Sequence, residues 1–357
     1  MGAIKVLMLS AMTFAGNANI FKLIGLQQFF SFPMAIVLSA LYLPMMRINF
    51  ELLKLVLMLL FITYFLFVNM YQHVAADLYY SIWPINCFFL GIFFAEFLKK
   101  IDSIDVRPFL VLPLFIILGL LVTGLENRAS FIFGPNILYR IFLLCGAILI
   151  FYSKTSFYRF LGLMIMVFGA ATGSRGYIAG LIVVILFSIF IFSNDKKSNS
   201  INKLVFLLIS VPVLALIFSD VVNERIFFFD ANSLASLNRL NTFEFVFSNW
   251  ETLFNFTGLD SFELSKYFGY GDRIAYPHNF MLEAYLYYGF IGIVLTLLIL
   301  LMAFFSAKDL KQTCLFILIF TFCSLSGDFG DNFIIFSFCF GLILNRVSNV
   351  EEKKSPA

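Results

Sequence analysis

The chain is 357 residues long, 61% hydrophobic and only 13% charged, against roughly 25% charged residues in an ordinary soluble domain. With a mean hydropathy of +0.96, it has too little polar surface to cover a water-soluble fold, and a bilayer is its expected solvent. The net charge of +3 decides nothing by itself; its distribution along the chain does.

Taken in order, apolar runs long enough for spanning helices, about 20 residues each, fall near residues 3–21, 26–45, 51–70, 79–97, 108–125, 131–152, 157–172, 175–193, 202–219, 278–305, 311–326 and 328–346. Strands of a barrel would alternate apolar and polar residues, and these runs do not. The pattern predicts an all-α polytopic membrane protein of about twelve transmembrane helices, residues 1–357 forming one integral membrane domain. The first run, VLMLSAMTFAGNA after Lys5, has the shape of a signal peptide, with Gly16 and Ala18 as small residues before a cleavage site. A retained helix is expected, because the charge pattern closes only with it in place.

The connectors sort by charge. Arg47, Lys99, Lys100, Arg107, Lys154, Arg159, Lys196, Lys197, Lys203, Lys308, Lys311, Arg346, Lys353 and Lys354 fall on one side, flanked by Lys5 and Lys54. The positive-inside rule then places both termini in the cytoplasm. The opposite side holds the connectors near 71–78, 126–130, 172–175 and 327–332, and one long segment, 220–277. In that segment Asp220, Glu224, Asp230, Glu244, Glu251, Asp260, Glu263 and Asp272 outnumber Arg225, Arg239, Lys266 and Arg273. Connections this long are usually functional or disordered. Its aromatic content argues against disorder. Phe243, Phe247, Trp250 and Phe254 recur at i, i+4, i+7 and i+11, which predicts an amphipathic helix near 239–254 lying on the membrane interface. Direct stacking on sugar is a compatible alternative.

Cys87, Cys145, Cys314, Cys323 and Cys339 all lie in apolar runs, and His73 and His278 are the two histidines. Neither a disulfide framework nor a metal site is expected, and no cofactor or nucleic-acid partner is implied.

The outward charges carry the chemistry. ATGSRGYIAG, residues 171–180, puts Arg175 at the head of a helix between small residues, with Ser174 before it and Gly176 after it. Helix N–H groups, the positive dipole end and a guanidinium together make an anion site, suited to a phosphate. The bland alternative is an arginine snorkelling to lipid phosphates. Arg239 opens the aromatic stripe. Arg140 lies about nine residues into its helix, roughly 13 Å from the start, and is expected to pair with a carboxylate or line a wet cavity. His278, after Tyr276 and Pro277, opens another helix, with Asn279 suited to the cap. An imidazole there can take a proton near neutral pH. Glu283, about 140° round that helix from His278, faces another helix or an arginine. Asp328 and Asp331 are the remaining outward acids. Arginines for a diphosphate and a base for a hydroxyl are what glycosyl transfer from a lipid diphosphate sugar requires.

His278–Asn279 followed after nine residues by Gly289-Phe-Ile-Gly292, the TGSRG turn at Thr172–Gly176, GPN at Gly134–Asn136 and Arg239 upstream of the aromatic stripe resemble the O-antigen polymerase (Wzy) and O-antigen ligase superfamily. The resemblance covers about residues 130–305. It implies a metal-independent glycosyltransferase of the GT-C-like membrane class, acting on undecaprenyl-diphosphate-linked oligosaccharide at the periplasmic face of the bacterial inner membrane. Arg175 and Arg239 would hold the diphosphate, and His278 would activate or orient the acceptor hydroxyl. Ser174, Gly176, Asn136, Arg140, Trp250, Arg273, Tyr276, Asn279 and Glu283 complete the candidate substrate-binding set. The expected partners are the lipid-linked oligosaccharide and membrane lipid, and the resemblance allows for a chain-length regulator. A composition rich in Phe and Ile resembles that of variable O-antigen loci and favours polymerase over ligase. A transporter of the same lipid-linked sugar would instead call for discontinuous helices or related halves.

Overall fold

The computed structural model describes residues 52–71, 82–102, 105–123, 135–170, 172, 174–193, 244, 246–260, 279–325 and 329–352. The expected helices at 3–21, 26–45 and 202–219 lie outside these residues, as does most of the long connector. All regular structure among the described residues is helical. The helices are α1 (Leu52–Tyr71), α2 (Trp83–Lys100), α3 (Pro108–Thr123), α4 (Pro135–Tyr152) and α5 (Ser156–Ala170). They continue with α6 (Arg175–Ser193), a single turn α7 (Trp250–Leu253), α8 (Phe280–Ser306), α9 (Leu310–Leu325) and α10 (Phe329–Glu352).

Two of these are long and apolar enough to cross a membrane: Leu53–Tyr71, with mean hydropathy 2.1, and Phe280–Ser306, with mean hydropathy 2.6. Their apolar windows are only 28% and 39% buried inside the protein. A core helix of a water-soluble protein would hide most of such a surface; these helices present Leu53, Leu60, Phe67, Leu301 and Phe305 outward.

The described residues fall in two compact units. One comprises parts of Lys99–Phe229 with Lys308–Phe322; the other comprises parts of Phe32–Leu98, Asp230–Ala307 and Cys323–Ala357. In the first, α4 and α5 form a tight antiparallel pair joined at Ser153–Thr155. Gly146 and Gly162 face each other there, and a Cβ on either would come within 2.9 Å of the other's carbonyl oxygen. Close backbone approach at small residues is how apolar helices gain packing where no water drives them together. At the basic end of this unit, Lys311 lies 3.8 Å from Asp102 and 5.0 Å from the centre of the Tyr152 ring. That cation joins three connectors at one end: α2–α3, α4–α5 and the start of α9. Asp105 pairs with Arg107 in the α2–α3 turn, and the hydrogen bonds from Arg107 hold the Asp105 carboxyl below its ordinary range.

The second unit is built on aromatic contacts. Phe65 stands 4.3 Å from Phe61 and from Tyr288, centre to centre. Trp83 and Phe336 are 5.5 Å apart. Such pairs contribute about 0.5–1.5 kcal/mol each beyond the area they bury. One buried polar chain runs through them: Trp83 Nε1 donates to the Tyr288 hydroxyl at 3.4 Å, which donates to Asn69 Oδ1 at 2.6 Å.

Candidate functional site

The turn before α6 is held by the Thr172 hydroxyl. Thr172 Oγ1 donates to the Gly169 carbonyl at 2.8 Å and accepts from the Ser174 N–H at 3.4 Å. Ser174 is buried, and its carbonyl accepts the first helical bond, from Tyr177 N–H at 3.0 Å. Short hydroxyl side chains favour this geometry at a helix entrance. Arg175 is therefore the first residue of α6, where backbone N–H groups have no partner within the helix. Its side chain lies outside the described residues, as does that of Asn136 in the first turn of α4.

Gly176 is a packing residue. A Cβ there would collide with the Tyr139 hydroxyl and lie 2.7 Å from its Cζ. The absence of a side chain serves the approach of α6 to α4. Tyr177, the next residue, packs against Gly169 and donates to the Met166 carbonyl at 2.8 Å, tying α6 to α5. Gly176→Ala is expected to destabilise the protein by about 1–3 kcal/mol through overpacking, and Tyr139→Leu should restore part of the loss. Scanning fluorimetry in detergent checks this; equal melting of Gly176→Ala and wild type would show that the contact is not close.

The touching pair Tyr139 and Gly176 are the chain neighbours of Arg140 and Arg175. Because α5 returns the chain, α4 and α6 start at the same end, and the two arginines belong to that end. Arg140 is half-buried, and its Nη2 donates to the Phe322 carbonyl on α9 at 3.2 Å. A main-chain carbonyl is thus part of what receives it. Counted from Pro135 it lies five residues into α4, roughly 7.5 Å along the helix.

In the second unit Asn279 caps α8. Its Oδ1 accepts from Met281 N–H at 2.9 Å and Leu282 N–H at 3.1 Å, and its Nδ2 donates to the Ser324 carbonyl at 2.9 Å. Asn279 thereby fixes where the helix after His278 begins and holds it to the end of α9. The cap contributes about 1 kcal/mol and the bond to Ser324 about 1 more. Asn279→Ala should lose both, and Asn279→Ser only the second. Melting temperatures falling in that order would support the two roles; an unchanged Asn279→Ala would remove them. Glu283, one turn on, is 5% exposed, as a residue facing other parts of the protein should be.

The aromatic stripe is interrupted. Asn249 has φ −117° and ψ 22°, outside the helical region, and α7 ends at Leu253. Phe247, Trp250 and Phe254 are exposed while Val246 and Leu253 are buried, so the aromatic face does point away from the protein. The Trp250 carbonyl accepts from Tyr285 Oη at 2.9 Å, joining the segment to α8.

Sequence reasoning missed a break in α8. Gly289 has φ 66° and ψ −162°, a conformation almost restricted to glycine. Beyond α7, the chain from Asn255 to Leu259 lies against this break. Phe290 N–H donates to the Asn255 carbonyl at 2.9 Å, Ile291 N–H to the Phe256 carbonyl at 3.2 Å, and Leu259 N–H to the Leu286 carbonyl at 2.8 Å. Tyr64 on α1 donates to the Tyr288 carbonyl at 2.6 Å. Two glycines, Gly258 at φ 88° and Gly289, stand back to back. The signal was present as NFTG in the connector and a glycine in mid-helix, but nothing local says that the two meet.

Arg239, Arg273, Tyr276 and His278 lie outside the described residues. Of the remainder, Arg140, Ser174 and Gly176 gather in the first unit around the starts of α4 and α6, whereas Trp250, Asn279 and Glu283 belong to the second, around the start of α8. No protein-family model matches the chain, and no curated protein matches it.

Proposed function

We propose that the chain is a metal-independent membrane glycosyltransferase, an O-antigen polymerase that joins lipid diphosphate-linked oligosaccharide units at the outer face of the bacterial inner membrane. The observation that carries this reading is the junction of the α4 and α6 starts, where Arg140 and Arg175 flank the Tyr139–Gly176 contact. Arginines at the starts of two neighbouring helices, together with the N–H groups of a helix start, suit a diphosphate. With Arg239 added, they stabilise the negative charge that grows on the leaving diphosphate as the bond from the anomeric carbon to oxygen breaks. The acceptor hydroxyl oxygen forms the new bond to that carbon, and His278 takes its proton.

Twelve spans with cytoplasmic termini and an outer loop at 220–277 complete the reading. Lys311, joining three basic connectors at one end through Asp102 and Tyr152, supports their common cytoplasmic side. The start of α6 then faces outward.

The ligase reading shares the same chemistry and differs in acceptor. The transporter reading gains one observation, the discontinuity in α8 at Gly289. In transporters such a break aims freed backbone groups at cargo; here they are engaged by Asn255, Phe256 and Tyr64. That favours a structural break.

The test is complementation of a polymerase-deficient strain, scored by the lipopolysaccharide ladder on a gel. Wild type restores the ladder under this reading. A strain lacking this gene that instead accumulates long lipid-linked polymer with bare core identifies the ligase. Wild-type protein present in the membrane that restores no ladder, in a host making the matching repeat unit, overturns the polymerase assignment.

A further inference from the structure

We infer that the segment 246–260 is re-entrant: it dips into the hydrocarbon beside the α8 break and presents its aromatic side chains to lipid acyl chains. An amphipathic helix resting at the interface would not reach this position. Gly289 lies nine residues past Phe280, roughly 14 Å along the helix at 1.5 Å per residue. The hydrocarbon layer is about 30 Å thick in all.

Three observations carry the inference. First, the segment is satisfied by protein at the break. Asn255 and Phe256 give their carbonyls to the freed N–H groups of Phe290 and Ile291, and Leu259 N–H reaches the Leu286 carbonyl. The Tyr64 hydroxyl lies 3.4 Å from the Phe256 carbonyl. Non-helical backbone at membrane depth is tolerated only when paired in this way. Second, two polar side chains here satisfy each other locally, the Asn255 Oδ1 accepting from Thr257 N–H at 3.1 Å and from its hydroxyl at 3.3 Å.

Third, an apolar ring cluster faces outward at the break. Phe254 and Phe256 are 42% and 61% exposed and Phe290 is 45% exposed, their rings clustered 5.5–6.2 Å apart. Phe290 continues directly into the exposed face of α8: Ile291, Val294, Leu298 and Leu301. That helix is apolar enough to span and mostly unburied by protein, so acyl chains cover its face, and the aromatic cluster is continuous with it. Glu244 and Glu251, both exposed, fix the shallow end of the segment at the polar boundary. The inference rests on the chain being in a bilayer and not on the reaction it performs.

The test uses the full chain in vesicles containing phosphatidylcholine brominated at shallow or deep acyl positions. The chain has two tryptophans, so Trp83→Phe leaves Trp250 as sole reporter, and Phe256→Trp with Trp83→Phe and Trp250→Phe reports the deeper site. Trp250 is expected to lose most emission with shallow bromines and the residue-256 reporter with deeper ones. A residue-256 reporter quenched by aqueous iodide and by no brominated lipid overturns the inference. Because Trp83 is buried and its loss can unfold the protein, a second measurement keeps the tryptophans. Thr257→Cys and Glu251→Cys are treated in intact vesicles with a membrane-impermeant maleimide; the five native thiols are buried. Labelling at 251 and protection at 257 until denaturation supports re-entry, and equal labelling at both sites refutes it.

Discussion

Gly289→Ala is expected to lower the stability of the protein by about 3 kcal/mol or more. Two costs add. Alanine in a conformation almost restricted to glycine costs about 1–3 kcal/mol, and overpacking costs a similar amount, since the new Cβ would lie 2.5 Å from the Asn255 carbonyl oxygen and 2.7 Å from the Phe256 carbonyl carbon. Neither neighbour is the free end of a flexible side chain, so relief requires moving the 255–259 backbone off the break. That movement strips partners from Phe290 and Ile291 N–H, each about 1–3 kcal/mol if left unsatisfied. In a domain of ordinary size, 3 kcal/mol corresponds to a fall in apparent Tm of roughly 6–12 °C. Val294→Ala, on the exposed face of the same helix, should stay within about 0.5 kcal/mol of wild type. Thermal scans in one detergent compare the two, and a Gly289→Ala protein melting with wild type would refute the break.

Under the proposed function, the second large effect falls on turnover. Arg175→Ala should reduce transfer from a lipid diphosphate donor by about 10²–10³-fold, the usual loss when one donor to a developing anion is removed. Arg175→Lys should recover only part of it, because an ammonium cannot reproduce bidentate guanidinium geometry. Arg175 opens α6 at a turn held by Thr172 and Ser174, so neither substitution should change the melting temperature much. The measurement is polymer formed by purified protein in vesicles without an ion gradient. Under the proposed function, His278→Ala should abolish turnover. Full activity in Arg175→Ala would make this residue a lipid anchor and end the diphosphate reading.

Much of the helical architecture was legible from hydropathy alone, for a physical reason. In apolar surroundings each backbone N–H and C=O must find its partner within the segment, so a long apolar run has little choice but helix. Hence 175–193 is read to the residue as α6, and 51–70 and 311–326 are displaced by one residue from α1 and α9. Asn279 is likewise legible as a helix cap, because capping is a local bond between a side chain and N–H groups two or three residues on.

What only the tertiary structure decided is which small and polar residues meet. Gly176 reads in isolation as one small residue of a turn; only the structure brings the Tyr139 ring against it. Arg140 reads as a charge seeking a carboxylate; the Phe322 carbonyl, 182 positions away, takes one of its hydrogen bonds. Gly289 reads as one position of a spaced motif, yet it interrupts α8 because Asn255 and Phe256 arrive from the connector with carbonyls for the freed N–H groups. Hydropathy is a property of each segment and survives in the sequence. Partnership between segments depends on the register at which helices dock, which no periodicity within one helix records.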